Sequence, residues 1–195
     1  MTSKVKVDTI EDSSGTRTLA IDSGSAWSWG AGVPSGTVLQ IVGNEDNTVT
    51  TPSNTGAVSI VSKAITTKRA GSHFLLLGQT NFGREADTPN VRCYFRRCLP
   101  GVAFASGNDL GAFTDGAREG GIGGAELRTS TEELMNVSID WIDSSASYSA
   151  GDVITYHFVI GVRDVGIVVN RTGAADNYNY ITRTYTTIRI LEIGQ

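Results

Sequence analysis

The residues able to do nucleophilic, acid–base or soft-metal chemistry are few. There are two histidines, His73 and His157, and two cysteines, Cys93 and Cys98. A serine, threonine or cysteine nucleophile needs a base held beside it. Here His73 opens one apolar stretch and His157 sits inside another, which are the positions of imidazoles that serve structure. Cys93 and Cys98 have an odd separation, so one strand carrying both would put them on opposite faces, a poor geometry for a disulfide. Without clustered histidines they do not form a metal set either, and the expectation is two buried free thiols. The carboxylates Asp109, Asp115, Glu119, Glu126, Glu132 and Glu133 are scattered. Glycoside hydrolysis needs two carboxylates at a defined spatial separation, and nothing in this spacing selects a pair. The glycine-rich Gly116 to Gly124 lacks the Gly-Lys-Ser/Thr ending and the following helix of a phosphate loop. No catalytic residue, cofactor or metal is expected, and the chain is read as a protein of assembly and binding rather than an enzyme.

Charge narrows the partners. The 195 residues hold 16 Lys and Arg against 20 Asp and Glu, a net charge of −4, which argues against a nucleic-acid phosphate backbone as the main ligand. The local basic clusters, Lys68-Arg69 and Arg92 to Arg97, are read as solvated faces or intersubunit ion pairs, because Arg92, Arg96 and Arg97 share no single strand face. No apolar run approaches the ~18 residues of a membrane span, and the N-terminus lacks a signal-peptide core. A soluble protein made in a cytoplasm, with no membrane insertion, is expected, and the sequons at Asn136 and Asn170 are then unused.

The elements that must position these residues read as strands. The chain is low in charge, rich in Gly, Ser and Thr, and has only 4 Pro, which suits short strands joined by tight turns. Lys4 to Asp22 alternates around Ser13-Ser14-Gly15 and predicts a β-hairpin with Val5, Val7, Ile10, Leu19 and Ile21 as its apolar positions. A lone hairpin is not stable in water and needs a partner surface. Trp27 and Trp29 follow two residues apart. An extended backbone would put them on one side, packed on the next domain or stacked where several chains meet. Val33-Pro34-Ser35-Gly36 marks a boundary, dividing an N-terminal arm and linker, residues 1–35, from a domain over residues 36–195.

Within that domain the predicted strands are Thr37 to Gly43, Ala57 to Thr67, Ser72 to Phe82, Val91 to Leu99, a short one over Val102 to Ala105, Leu134 to Ile142, Asp152 to Arg163, Gly166 to Asn170 and Ile181 to Ile193. Asn44 to Gly56 reads as a polar loop. Ala57 to Thr67 alternates with Val58, Ile60 and Ala64-Ile65 inward after a bulge. Asp152 to Arg163 is apolar on both faces, so it belongs in the middle of a sandwich or against another subunit. Ser106 to Thr131 reads as a long irregular loop of the kind that carries function. Roughly nine strands and no helix predict an all-β fold, an antiparallel β-sandwich, jelly-roll-like, preceded by the short hairpin arm. The candidate attachment and assembly residues are Val5, Val7, Ile10, Leu19, Ile21, Trp27 and Trp29. The candidate receptor-contact residues are the charged ones on Gly-rich loops: Arg84, Glu85 and Asp87, and Asp109, Asp115, Arg118 and Glu119.

The opening KVDTIEDSSGTRTL, the segments GTVLQIV and SHFLLLGQ, and the ending NRTGAADNYNYITRTYTTIRILEI together resemble small tail-fibre or virion appendage proteins of tailed bacteriophages. YSAGDVITYHFVI is similar to the Gly-Asp strand opening of trimeric jelly rolls such as complement-type globular heads and tumour-necrosis-factor-like domains. The resemblance covers most of the chain in order, but not Ser106 to Thr131. It implies a homotrimer whose N-terminal arm attaches to other virion proteins and whose jelly roll contacts a host surface glycan or protein. By the same resemblance Tyr156, Phe158, Tyr185 and Ile188 lie near the core or the subunit interface. The chain lacks the long shaft of large fibres. A capsid decoration or head-fibre protein is the alternative placement, and a polysaccharide-degrading tail spike the alternative activity.

Overall fold

The structure, a computed structural model, describes residues 9–11, 18–21, 27–29, 34–52, 56–85, 90–115, 118–126, 134–144, 148–162, 166–172 and 183–195. Strands β1 (Thr9–Glu11), β2 (Thr18–Ile21) and β3 (Trp27–Trp29) form an antiparallel sheet of their own in the order β1-β2-β3. The hairpin therefore carries a third strand, made by the tryptophan segment. Val5 and Val7 lie outside the described residues.

The remaining strands are β4 (Val38–Asp46), β5 (Gly56–Thr66), β6 (His73–Arg84), β7 (Asn90–Cys98), β8 (Asn108–Leu110), β9 (Phe113–Asp115), β10 (Arg118–Gly120), β11 (Gly123–Glu126), β12 (Met135–Asp143), β13 (Val153–Val162), β14 (Ile167–Val169) and β15 (Thr186–Ile193). One sheet runs β4-β15-β6-β12 with β14 also on β6, and the other runs β5-β13-β7-β11 with β8 also on β7. Every pairing is antiparallel. With β8 and β11 counted as one strand, the two sheets take the chain's eight main strands in the order 1-8-3-6 and 2-7-4-5. That is the interleaved pair of Greek keys of a jelly roll. The fold class predicted from the alternation patterns is the one observed.

The core fills the space between the sheets because alternate residues of each strand face inward. Phe74, Leu76 and Phe82 of β6, Phe95 of β7, Tyr156 and Phe158 of β13, and Ile188 and Ile190 of β15 are fully buried. Phe95 and Phe158 pack with their rings tilted, centroids 5.6 Å apart. Gly78 makes room for them, since a Cβ there would lie 3.0–3.1 Å from both rings. Each such ring removed from water stabilises the fold by about 1.5–3 kcal/mol. A polar group ties the segments around β4, β14 and β15 together. Asn170 adopts a left-handed backbone, φ 66. Its side-chain amide donates to the Asp46 and Thr48 carbonyls at 2.9 and 3.1 Å and accepts from the Thr186 hydroxyl at 2.8 Å.

Several predicted boundaries are corrected. β4 continues through Asn44-Glu45-Asp46, because β15 supplies a ladder partner to each of these polar residues. The bulge in β5 falls at Ile60, which is skipped between Ser59↔Val159 and Val61↔Phe158, so Ile60 and Val61 are both buried while Ala64 is exposed. The segment expected as a strand over Val102 to Ala105 instead carries a single 3₁₀ turn, Phe104–Ser106, following the Pro100-Gly101 turn. Residues 106–131, expected as irregular, hold four short strands. On the outer face of β13, Val153 is exposed while Val159 is closed off within the chain. Val159 is fully buried, paired across the ladders with Tyr94 and Ser59. Tyr156, Phe158 and Ile188 are core residues, while Tyr185 is exposed.

Candidate functional site

The outer edge of the second sheet is one strand interrupted by a hairpin. β8 pairs with the C-terminal half of β7, Asn108↔Arg97 to Leu110↔Phe95, and β11 pairs with the N-terminal half, Gly123↔Cys93 to Glu126↔Asn90. Between them, opposite Tyr94, the chain leaves the ladder and forms the β9–β10 hairpin, paired Phe113↔Gly120, Thr114↔Glu119 and Asp115↔Arg118. The glycines of this region follow from that path. Gly111 takes φ +77 where the chain departs from the sheet, and a Cβ on Gly121, where it returns, would lie 2.5 Å from the Cys93 carbonyl oxygen. Gly120 leaves its face of the hairpin to the Phe113 ring, which remains 59% exposed.

The hairpin is held to the outer face of β7, where alternation places Arg92, Tyr94 and Arg96, while Val91, Cys93 and Phe95 enter the core. Arg92 Nη2 pairs with Glu119 Oε2 at 2.9 Å, and its guanidinium carbon lies 5.4 Å from the centre of the Tyr94 ring. Arg96 grips Asp109 through two nitrogens, Nε to Oδ1 and Nη2 to Oδ2 at 3.1 Å. It also lies 4.6 Å from the centre of the Phe104 ring. Phe104 in turn packs on His157, ring centroids 4.9 Å apart, and His157 Nδ1 shares a hydrogen bond with Ser59 Oγ at 2.8 Å. The Asp109 hydrogen bond raises the Arg96 pKa. Burial, followed by the charge of Asp109, raises that of Tyr94, whose hydroxyl is buried with no partner among the described residues.

The arrangement presents matched ion pairs beside aromatic rings. Exposed pairs of this kind contribute about 0–1 kcal/mol each, so they fix position and polarity more than stability. Burial lowers the His157 pKa and the Arg96 charge lowers it further. Cys93 and Cys98 are free and buried, and burial pushes the Cys93 thiol up to about 12. Among the described residues no group of three or more His, Cys, Asp and Glu is placed to hold a metal ion. None of the described helical segments is long and apolar enough to cross a membrane.

Of the candidate contact residues, Asp109, Asp115, Arg118 and Glu119 fall on β8, β9 and β10 along one edge. Arg84 and Glu85 are separate from them. Arg84 pairs with Ile167 of β14, and Glu85 Oε1 accepts from Arg171 Nη2 at 2.6 Å. Asp87 lies outside the described residues. Arg92, Tyr94, Arg96 and His157 were not among the candidates. The signal that could have found three of them is the alternation Arg-Cys-Tyr-Phe-Arg, which puts Arg92, Tyr94 and Arg96 on one strand face. At the N-terminus, the register aligns Ile10 with Leu19, Leu19 with Trp29, and Ile21 with Trp27. These five positions share one face of the small sheet, and Thr9, Glu11, Thr18, Ala20 and Ser28 share the other.

No protein-family model and no curated protein matches this chain. Among solved structures it is similar to one of infectious bursal disease virus, Gx strain, at 10% identity and TM-score 0.36, covering 87% of this chain and 41% of that one. For the Gt strain of the same virus the values are 10% identity, TM-score 0.32, and 91% and 44% coverage. For the VP2 subviral particle of that virus they are 11% identity, TM-score 0.27, and 96% and 43%. The chain thus spans less than half the length of each of these neighbours, and the jelly-roll assignment rests on its own strand order.

Proposed function

We propose that this chain is a structural protein of a virion, a short phage tail fibre or fibre tip. In this reading it assembles as a homotrimer, attaches to other virion proteins through its N-terminal sheet and meets the host surface, a glycan or a protein, with the β9–β10 hairpin. The observation that carries it is the N-terminal sheet, three short strands with all five large apolar positions on one face. A sheet of that size has no interior, and its apolar face calls for a second surface to lie on. A ring of identical copies supplies such surfaces with closed symmetry. The hairpin suits the contact role because it leaves a rigid ladder at a defined point and carries Phe113, Thr114 and Asp115 exposed. The sequence resemblance to phage appendage proteins points the same way.

Light scattering on the purified full chain tests the assembly. The expected mass is three times the 20.7 kDa chain, and a stable monomer at micromolar concentration overturns the reading. Antibody labelling of intact particles then tests the address. Label on the tail supports a fibre, whereas label on the head assigns the chain to a decoration or head-fibre protein.

A further inference from the structure

The first sheet carries an unpartnered apolar row on its outer face. Ile142 of β12 lies opposite Leu75 of β6, Leu75 opposite Leu191 of β15, and Leu191 opposite Ile41 of β4. Four aliphatic residues in register thus cross the whole sheet, with Ile41 63% and Ile142 56% exposed. The adjacent row is Asp140, Leu77, Arg189 and Gly43, and the one beyond it is wholly polar, Ser138, Gln79, Thr187 and Glu45. The outer face is therefore divided, apolar toward one end and hydrophilic toward the other. A continuous aliphatic band of this kind marks a contact surface rather than scattered surface hydrophobes.

The chain contains a second surface of matching character, the apolar face of the β1–β3 sheet, and the path of the backbone brings the two near one another. Gly36 donates to the Gly194 carbonyl at 2.8 Å and Gly194 to the Thr37 carbonyl at 2.9 Å. The chain accordingly enters the jelly roll beside the C-terminal end of β15, at the end of the sheet where the row lies. The link from Trp29 to Pro34 spans at most about 18 Å when fully extended, which tethers the end of the small sheet within that distance of the start of β4. In the single chain the row stands open. A neighbouring copy that brings its row within that reach can receive the sheet.

We infer that the β1–β3 sheet of one copy docks, apolar face inward, on the Ile142–Leu75–Leu191–Ile41 row of the next copy. Each chain gives its sheet to one neighbour and receives one from the other, a heterologous contact that a ring closes. This inference rests on the oligomer proposed above and names the surfaces that hold it together.

The test uses the full-length chain. Ile41→Asp with Ile142→Asp changes two exposed side chains, and the fold is checked by circular dichroism. Association should weaken about thirtyfold or more, the effect of losing a central interface contact, giving a monomer by light scattering. Ser138→Asp, on the polar half of the same face, should leave the oligomer unchanged. A separate variant carrying Leu19→Cys and Ile142→Cys, treated with a short bismaleimide, should give covalent multimers on a denaturing gel. An oligomer that survives Ile41→Asp with Ile142→Asp overturns the docking surface while leaving the trimer standing. A wild-type chain that is itself monomeric overturns the parent reading. A crosslink formed only within single chains shows that each sheet covers its own sandwich and overturns the exchange.

Discussion

The carboxylate of Glu192 on β15 lies beneath the β5–β6 turn and takes the place of a ladder partner for it. It accepts from the Lys68 amide at 2.9 and 3.0 Å and from the Arg69 amide at 3.0 Å, and it accepts from the Gln40 side-chain amide as well. Glu192 is fully buried, so these donors hold a carboxylate that would otherwise be expensive to remove from water.

Removing that carboxylate takes away the acceptor shared by the Lys68 and Arg69 amides and the Gln40 side chain and leaves a hole where a fully buried side chain stood. Glu192→Ala should lower stability by about 3 kcal/mol, and Glu192→Gln, which keeps one acceptor oxygen, by less. Urea unfolding monitored by tryptophan fluorescence reads both. An Ala variant with an unchanged midpoint contradicts the role given to this side chain.

Arg97 and Asp143 make the corresponding tie at the core. One guanidinium nitrogen lies 2.8 Å from both Asp143 oxygens, and the Tyr156 hydroxyl donates to Asp143 at 2.8 Å. Asp143→Leu or Arg97→Met alone should destabilise by about 3–5 kcal/mol, because the remaining partner stays buried with its charge. Arg97→Met combined with Asp143→Leu should cost clearly less than the two single changes added together. Strict additivity in urea would show that the two groups do not act as a pair.

The distribution of these features explains what the sequence disclosed. Strands with inward alternation, such as Ile154, Tyr156, Phe158 and Ile160 on β13, are legible because burial of one face imposes a period of two. The Arg97–Asp143 tie is not, because its members lie 46 residues apart and only the sandwich closure brings them together. Residues 106–131 read as loop because β8, β9, β10 and β11 are three or four residues each, too short for a period to emerge, and their glycines answer to the nearby β7 backbone. Leu75 and Leu77 belong to the apolar run predicted as the strand Ser72 to Phe82. A run apolar on both faces does not say which face meets its own core, and here the second face is the open one. On β13 the two apolar faces left open whether the strand lies in the middle of a sandwich or against another subunit, and the outer-face Val159, flanked by Tyr94 and Ser59, is buried within the chain.

His157 gives the fold a dependence on acid. Burial, followed by the Arg96 charge, lowers its pKa from 6.5 in the native state. A group whose folded value is depressed contributes stability that is fully present above the unfolded value and is lost as the pH falls through the folded one. Below about pH 6.5 the unfolded chain takes up a proton that the native chain does not. The wild-type urea midpoint should therefore fall between pH 7.5 and pH 5 by more than that of His157→Asn, which keeps a polar group near Ser59 and cannot titrate. Equal falls in the two proteins would remove the assignment.

The interrupted edge strand makes its own prediction. Leu110 faces Phe95 and Gly123 faces Cys93, so a single residue opposite Tyr94 completes the ladder where twelve now stand. Replacing residues 111–122 by one threonine should therefore join β8 to β11 without a change of register. Excising the whole of 106–131 would instead remove ladder strands. The loss of the Arg92–Glu119 pair should cost about 1 kcal/mol or less and that of Ile122, half-buried against the core, about 1–2 kcal/mol, so the melting temperature should fall by a few degrees and the oligomer mass should stay that of wild type. Adsorption of particles carrying the shortened chain to host cells should be lost, because Phe113, Thr114, Asp115 and Glu119 leave with the hairpin. A variant that fails to fold refutes the reading of β8 and β11 as one strand, and particles that adsorb normally refute the contact role of the hairpin.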